Sequence, residues 1–149
     1  MSSPDGSTVL FRRTPPDFRR GAIERFARRL GRDVAKGRPF ACLITGDAEL
    51  RRLNRQFRGK DYATDVLSFP AAAPAAHLGD LAISLGRARV QAIEFGHRIE
   101  QEVEILMLHG LLHLLGFDHE TDRGQMARAE KRWRARLGLA TGLIERVRP

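Results

Sequence analysis

The sequence predicts an α/β (α+β) fold, in which one mixed four-stranded sheet packs with about five helices in a single domain. The chain has 149 residues, and domains commonly contain roughly 100–200 residues. Short apolar segments of strand length alternate with longer segments whose apolar residues recur at helical spacing. Hydrophobic residues make up 42% of the chain and charged residues 30%, so a core can form and a wholly disordered chain is excluded.

The N-terminal part of the chain predicts two strands and two helices in alternation. Residues 1–8 are small and polar, so we expect a frayed terminus before the short strand Val9–Phe11. In the helix Phe18–Leu30, apolar residues recur at helical spacing and arginines occupy the outer face. The continuous apolar segment Phe40–Thr45 is typical of a central strand. The next helix, Asp47–Phe57, starts at a residue type that caps helices.

The C-terminal part predicts two strands followed by three helices. A proline closes the strand Thr64–Pro70, and the alanine-rich loop Ala71–Ala76 separates it from the strand Leu78–Ser84. The predicted helices are Gly86–Phe95, Arg98–Leu115 and Arg123–Leu137. The middle helix is almost wholly apolar after Ile105, so its C-terminal half must be buried. Gly116 follows it at the usual position for the end of a helix.

Charge is divided unevenly along the chain, whose formal net charge is +8. Residues 1–60 contain 15 basic and 6 acidic groups, residues 61–122 contain 3 and 10, and residues 123–149 contain 8 and 2. Two basic flanks therefore surround an acidic middle, and basic surfaces attract polyanions such as RNA through release of counterions. A solvated surface in an arginine-rich protein fits as well, since 23 of the 26 basic residues are arginine.

No segment of the sequence predicts membrane insertion or secretion. Nowhere do 18 apolar residues follow one another, and the N-terminus lacks the basic-then-apolar order of a secretory signal. The one cysteine, Cys42, excludes an internal disulfide and a zinc site built from several cysteines. We therefore expect a protein of the reducing cytoplasm, without a membrane partner.

Three of the five histidines, His109, His113 and His119, fall within eleven residues. The first two lie four residues apart in a predicted helix, so their side chains share one face, one turn apart. By this spacing, a helix can supply two imidazoles to one metal ion. Gly116 lets the backbone turn sharply after the helix, and His119 can then fold back toward the other two.

The three imidazoles predict a metal site at the end of a buried helix. Burying three unpaired imidazoles together would cost several kcal/mol, which an ion would offset. Three protein ligands leave the fourth tetrahedral position open, as in catalytic rather than structural zinc sites. We therefore expect Zn²⁺, although nickel, copper and iron also accept three imidazoles. The other histidines, His77 and His97, lack this spacing and are predicted to lie on the surface.

The histidine spacing also matches the metzincin protease pattern, except at one position. The proteases place a glutamate directly after the first histidine, where it acts as the general base. This chain has Gly110 there, and a glycine has no side chain to move a proton. The sequence therefore disfavours a conventional metalloprotease despite the shared ligand spacing.

The segment from His109 to His119 resembles the motif of the bacterial YbeY endoribonucleases, also called rRNA maturation factors. The likeness extends, in the family's order, to Leu53–Arg58, Thr64–Pro70 and Gly79–Ser84, and beyond the histidines to Glu120, Met126 and Glu130. It covers residues 40–131 densely and the two ends loosely.

The resemblance implies a single metal-dependent endoribonuclease domain over residues 1–149 that prefers single-stranded RNA. It implies action in the maturation of ribosomal RNA, notably at the 3′ end of 16S rRNA, and in ribosome quality control. The implied partners are ribosomal RNA, the small ribosomal subunit with its proteins, and a ribosome-assembly GTPase. The family's metal ligands correspond to His109, His113 and His119, and its important arginine corresponds to Arg58.

The chemistry of individual residues gives further site candidates. Arg58 ends a predicted helix, so its guanidinium could reach into a cleft and stabilise charge on a phosphoryl group. Asp118, next to a histidine, is a candidate proton acceptor, and a plain turn residue fits equally. On the basic face of the first helix, Arg28 and Arg29 are predicted, together with Arg58, to contact the RNA backbone.

Two other functions remain open from the sequence. The first is a zinc metallopeptidase-like hydrolase that uses another base, such as Asp118. The second is a ribosome-associated RNA-binding module with a structural metal, for which Asp65 or Asp80 could complete the ligand set. Gly110 argues against the first function, and an open fourth metal position argues against the second.

Overall fold

A four-stranded mixed sheet organises the structure, a computed structural model that describes residues 7–72 and 77–139. The strands are β1 (Thr8–Phe11), β2 (Ala41–Thr45), β3 (Val66–Pro70) and β4 (Gly79–Ser84). The helices are α1 (Arg20–Asp33), α2 (Asp47–Arg58), α3 (Leu85–Phe95), α4 (Ile99–Leu114) and α5 (Gln125–Leu137). The elements follow the predicted order, and the predicted α/β fold is confirmed over the described ranges.

The strands lie in the order β1-β2-β4-β3. β1 is parallel to β2 and β2 is parallel to β4, whereas β3 runs antiparallel to β4. The two central strands place apolar side chains in the core, namely Cys42 and Ile44 from β2 and Leu81 and Ile83 from β4. β3 lies at one edge, where Pro70 ends the strand without removing a hydrogen bond from the interior of the sheet.

Helix α4 lies at the centre of the packing. Between Val103 and Leu112, every residue except Glu104 is buried, as the apolar sequence predicts. The helix packs against β3 and β4 and against α1, α3 and α5. Although α4 is apolar, no helix among the described residues is long and apolar enough to cross a membrane. The sheet and three helices thus hold the histidine-bearing end of α4 in a fixed position.

The predicted frayed terminus is wrong for Ser7 and Thr8. Ser7 is buried, and its hydroxyl accepts a hydrogen bond from the Phe40 N–H (3.2 Å). The Thr8 N–H donates to the Phe40 carbonyl (3.1 Å). These contacts join residues more than thirty positions apart in the sequence, so local polarity does not reveal them. Residues 1–6 lie outside the described residues.

Helices α1 and α5 begin two residues later than the sequence predicts. Before α1, the Glu100 carboxylate accepts the N–H of Arg19 (2.9 Å). Before α5, the Asp122 carboxylate accepts the N–H groups of Gly124 (2.9 Å) and Met126 (2.8 Å). These two hydrogen bonds lower the pKa of Asp122. In both places a carboxylate accepts hydrogen bonds from N–H groups at the start of the helix, which have no partner within the helix itself.

Helix α2 is capped differently from the prediction. Its N-cap residue is Gly46, and the Asp47 carboxylate instead accepts a hydrogen bond from the hydroxyl of Ser84 at the end of β4. The Ser84 hydroxyl in turn accepts the Arg87 N–H (3.1 Å) and caps α3. Asp47 therefore ties the start of α2 to the start of α3.

Candidate metal centre and cleft

Three histidine side chains converge at the C-terminal end of α4. The ring centroids of His109 and His113 are 5.0 Å apart, and the ring of His119 lies 5.4 and 5.5 Å from them. Each histidine offers one ring nitrogen, and these nitrogens all lie within 4.8 Å of one another. Two zinc–nitrogen bonds of roughly 2.0–2.1 Å span at most about 4.2 Å, so small side-chain adjustments would let the three nitrogens share one ion. The sequence-predicted cluster is therefore assembled in the structure and could hold a metal ion.

Gly116 makes the turn that returns His119 to the helix. Its φ is +101°, in the left-handed region that glycine adopts at little cost. The Gly116 N–H donates to the His113 carbonyl (3.0 Å), and the Phe117 N–H donates to the Leu112 carbonyl (3.1 Å). These bonds satisfy carbonyl groups at the end of α4, so one turn both ends the helix and brings the third histidine to the cluster.

Glu130 on α5 fixes the orientation of His109. Its Oε2 lies 2.8 Å from His109 Nδ1, and the residues are only 2% and 6% exposed. A carboxylate at this distance favours the tautomer with hydrogen on Nδ1, which leaves Nε2 with the lone pair that a metal needs. The sequence alone did not predict this role of Glu130. The available signal was the position of a glutamate between the core residues Met126 and Leu137 of one helix.

The donor atoms of the cluster fit a divalent transition-metal ion. Burial, followed by the proximity of His109 and His119, lowers the pKa of His113, so its lone pair is available at neutral pH. The buried Nδ1 of His119 has no hydrogen-bond partner among the residues that the structure describes. An unpaired buried nitrogen costs roughly 1–3 kcal/mol. A metal ion would supply the partner that this nitrogen lacks among the described residues.

The two carboxylates considered as a fourth ligand have other partners. Asp65 accepts hydrogen bonds from the Val66 N–H (2.7 Å) and from Gln91 Nε2 (3.2 Å). Asp80 Oδ1 lies 3.2 Å from His77 Nε2. Neither aspartate belongs to the three-histidine group found among the described residues. The cluster as it stands is a three-imidazole set.

The cluster opens into a cleft of about 750 Å³. The cleft is lined by the end of α2, by β3 and the residues before it, by the end of α3, and by the turn after α4. Arg58, the last residue of α2, lines it with an exposed side chain. The structure thus brings the predicted arginine into the same cleft as the three histidines.

Gly110 lies where α4 touches the sheet. A Cβ atom placed on Gly110 would lie 2.8 Å from Leu81 Cδ2 and 3.2 Å from Val66 Cγ2. The Gly110 carbonyl accepts a hydrogen bond from the Ser68 hydroxyl (3.2 Å). A glutamate side chain, the base of the metzincin proteases, has no room at this position. The structure therefore gives a steric reason for the residue that separates this chain from the protease pattern.

Asp118 lines the cleft and also holds the turn that carries His119. Its Oδ1 accepts the Glu120 N–H (3.1 Å), and its Oδ2 accepts the Thr121 hydroxyl (3.2 Å). The residue is exposed, so its carboxylate is open to solvent at the mouth of the cleft. Both of its sequence-predicted roles, turn residue and proton acceptor, are compatible with this placement.

Arg28 and Arg29 lie away from this cleft. Both are exposed on α1, and neither lines the cleft. The Arg29 guanidinium donates to the Arg136 carbonyl (2.9 Å) and lies 3.8 Å from the Asp33 carboxylate. Their contact with RNA stays a prediction about a second surface.

The cleft carries more negative than positive side chains. Its lining includes the carboxylates of Asp65, Glu94, Asp118 and Glu120, against the guanidinium of Arg58. Without a bound cation, this balance repels a phosphodiester. A divalent ion at the histidines would make the inner part of the cleft attractive to phosphate, which is a second observation that fits a metal.

Sequence comparisons with known proteins agree on one family. A family model described as "Endoribonuclease YbeY" matches residues 20–138. A Solibacter usitatus protein named Endoribonuclease YbeY is 76% identical over 147 residues, which cover 99% of each chain. A protein of that name from Nautilia profundicola is 51% identical over 105 residues, 70% of this chain and 76% of the relative. The solution structure of TM1509 from Thermotoga maritima matches with a TM-score of 0.60 and 26% identity, covering 87% of this chain and 92% of that one.

Proposed function

This chain belongs to the endoribonuclease YbeY family, and from that premise we propose that it is a metal-dependent endoribonuclease that prefers single-stranded RNA. The proposed reaction is hydrolysis of phosphodiester bonds within RNA. The observation that carries the proposal is that His109, His113 and His119 form a metal-type cluster in the same cleft as Arg58.

The three histidines would hold one divalent ion, for which Zn²⁺ is our first choice and nickel or another transition metal an alternative. When bound, such an ion supplies Lewis acidity toward a phosphoryl oxygen and lowers the pKa of water to about 7. Because Glu130 contacts Nδ1 of His109, Nε2 would be the nitrogen by which His109 holds the ion. The buried position of this pair keeps the imidazole in one orientation.

Arg58 would supply positive charge to the phosphate group of the substrate. A guanidinium offers two parallel N–H donors that match two phosphoryl oxygens. These donors would stabilise the negative charge that develops on the phosphoryl oxygens in the transition state. As the one guanidinium among the described residues that line the cleft, Arg58 would also orient the RNA backbone toward the histidines. Asp118 is the proposed proton acceptor at the mouth of the cleft.

We infer the wider role of the protein from its family. We propose that the substrate is ribosomal RNA, notably the 3′ end of 16S rRNA, and that the enzyme acts in rRNA maturation and ribosome quality control. The proposed partners are the small ribosomal subunit with its proteins and a ribosome-assembly GTPase, and the proposed compartment is the cytoplasm. Arg28 and Arg29 would contribute a separate contact to the RNA backbone.

Neither alternative function receives support from the comparisons. The relatives are named endoribonucleases, which leaves no basis for a purely RNA-binding module with a structural metal. The same names give no support to a metallopeptidase that uses Asp118 as its base. Gly110, which packs against Leu81 and Val66, offers no side chain at the position of the metzincin base.

An assay with two classes of substrate tests the proposed function. The zinc-loaded protein is incubated with an unstructured RNA, with the same RNA annealed to its complement, and with an unfolded protein. Each reaction is run with and without a chelator and after zinc is restored. We expect internal cleavage of the unstructured RNA that stops with the chelator and returns with zinc. Cleavage that the chelator leaves unchanged, or cleavage of the protein substrate, would contradict the proposal.

A further inference from the structure

The end of α3 forms a part of the cleft that the mechanism does not use. Three of its residues, Gln91, Glu94 and Phe95, line the cleft together with the histidines and Arg58. They are spaced three and four positions apart, so they share one face of the helix. This face offers an amide, a carboxylate and an aromatic ring, and none of the three side chains carries a positive charge.

Phe95 is the aromatic group of this face. Its side chain is 39% exposed, although it is among the large apolar residues of the chain. The His97 ring packs against it in a stacked arrangement, with 6.5 Å between the ring centroids and an angle of 20° between their planes. Gly96, at a φ of +72°, ends the helix between them. The ring of Phe95 is therefore held by a neighbour and exposed at the cleft.

Charge decides which part of an RNA can lie against this face. The Glu94 carboxylate repels phosphate, so the sugar-phosphate backbone is drawn instead to Arg58 and the metal-type cluster. A nucleobase is uncharged, its amino and imino groups can donate to a carboxylate, and its ring can stack on an aromatic side chain. The α3 face is thus suited to a base and unsuited to a phosphate.

We propose that Phe95 is a specificity-determining residue, on which one unpaired nucleobase of the RNA substrate stacks next to the cleavage site. The proposal rests on the proposed ribonuclease function and gives a reason for its preference for single strands. Only a base that is not paired with another strand is free to stack on a protein ring. Stacking tolerates all four bases. It therefore favours single-stranded RNA without selecting a sequence.

The test is a double-mutant cycle between the protein and the RNA. The probe is a labelled, unstructured RNA oligomer whose cleavage position has been mapped, together with versions that carry one abasic nucleotide at each position near that bond. Equilibrium affinity and single-turnover cleavage are measured for the zinc-loaded wild type, Phe95→Ala, Phe95→Leu and Phe95→Tyr. Ile93→Ala is the matched control, because Ile93 is 78% exposed on the same helix and does not line the cleft.

For the wild type, we expect one abasic position to weaken RNA affinity by roughly 5- to 150-fold, the range for loss of one stacked base. Phe95→Ala and Phe95→Leu should lose a similar factor with the intact RNA, and the abasic substitution should then cause little further loss. Phe95→Tyr should retain stacking, and Ile93→Ala should match the wild type. An abasic penalty of equal size in the wild type, in Phe95→Ala and in Phe95→Leu overturns the proposal.

A fluorescence measurement separates this proposal from the ribonuclease function. With 2-aminopurine at the sensitive position, stacking should change the fluorescence of the bound wild-type complex but not that of Phe95→Leu. This readout requires binding and not cleavage. RNA that binds and stacks without being cut would contradict the proposed function alone. RNA that is cut with no change in fluorescence or in affinity upon substitution of Phe95 would contradict the stacking proposal alone.

Discussion

The cleft and the outer face of α1 both carry groups that could meet RNA, but they are built in different ways. In the cleft, His109 and its partner Glu130 are 6% and 2% exposed, so buried neighbours fix the direction of the imidazole. On α1, Arg28 and Arg29 are exposed, and Arg29 interacts with a backbone carbonyl and a carboxylate of this protein. Buried polar groups with fixed orientations therefore identify the reactive region. An exposed arginine belongs to that region only where, like Arg58, it lines the cleft.

The distribution of charge supports the same distinction. Among the residues that the structure describes, every one that lines the cleft except Arg58 comes from the acidic middle of the chain, residues 61–122. The most basic segment, residues 1–60, contributes Arg58 alone to that lining. Net charge by itself therefore points to the basic face of α1 and not to the cleft. An acidic cleft can bind a polyanion only if a cation is present, which links RNA binding there to metal binding.

Among the variants of the two regions, those at Arg58 should have the largest effect on RNA cleavage. We expect Arg58→Ala to retain its metal and fold but to lose single-turnover cleavage on the order of 10²–10³-fold, as for removal of one preorganised donor. Arg58→Lys should recover little, because an ammonium cannot offer two parallel donors. RNA affinity should fall far less than the cleavage rate.

Arg55→Ala is the matched control for Arg58, since Arg55 lies one turn earlier on α2 and outside the cleft lining. Metal content and RNA affinity are measured on the same preparations. Equal losses in affinity and in kcat/KM, with the cleavage step unchanged, would make Arg58 a clamp for the backbone. A fully active Arg58→Ala would remove it from the site.

The next effect should come from the carboxylate behind the histidines. Removing the partner of a metal-binding histidine typically weakens metal affinity roughly 10- to 100-fold. We expect Glu130→Ala to reach this range, and Glu130→Gln to lose less because its amide oxygen still accepts from His109 Nδ1–H. Zinc affinity is measured by competition with a chromogenic chelator, and thermal unfolding of the metal-free variants reports on the fold. Unchanged zinc affinity in both variants would exclude the orienting role.

A smaller effect should follow from the basic face of α1. If Arg28 and Arg29 attract the RNA backbone, replacing both with glutamine should weaken binding of unrelated RNAs about equally and by less than the Arg58 variant slows cleavage. The slope of log affinity against log salt should become shallower, since fewer counterions are released. The control replaces Arg51 and Arg52, which pair with Asp61 and Glu49. An unchanged salt slope would leave α1 a solvated face.

The smallest effect concerns stability rather than either RNA-facing region. Burial raises the pKa of Glu104 on α4 to about 7, with Arg98 opposing the rise and Glu100 adding to it. A raised folded-state pKa means that stability is fully present below the unfolded pKa of about 4.5 and is lost as pH rises through about 7. At pH 8, Glu104→Gln should therefore be more stable than the wild type by on the order of 1 kcal/mol.

Denaturant unfolding at pH 4 and pH 8 measures this difference. The two proteins should be nearly equal at pH 4, where the carboxyl is protonated and resembles the amide. Glu104 does not line the cleft, so metal affinity should not change. A variant that is less stable than the wild type at both pH values would show that the carboxyl makes a favourable contact instead.

The order of the elements could be predicted because apolar spacing is a local property of the sequence. The nearly continuous apolar run of α4 required burial on all sides, and Gly116 marked its end. The three histidines could be grouped for the same reason, since a helix and a single turn fix their relative positions.

Contacts between distant parts of the chain could not be predicted in this way. The pairing of Glu130 with His109 depends on how α5 packs on α4, and the contact of Asp47 with Ser84 depends on the meeting of α2 with the end of β4. The same is true of Ser7, which is buried because Phe40 lies beside it. Each of these polar residues has a local role available to it, as a cap or a solvated group, and packing selects a different one.

The central claim is that the histidine cluster holds the metal on which RNA cleavage in the cleft depends. The most direct test measures zinc content by mass spectrometry and RNA cleavage on the same preparations of the wild type, His113→Ala and His77→Ala. His77 is the control because it pairs with Asp80 outside the cluster. We predict about one zinc per chain and full cleavage for the wild type and His77→Ala, and loss of most of both for His113→Ala. Near-full zinc occupancy or undiminished cleavage in His113→Ala would contradict the account.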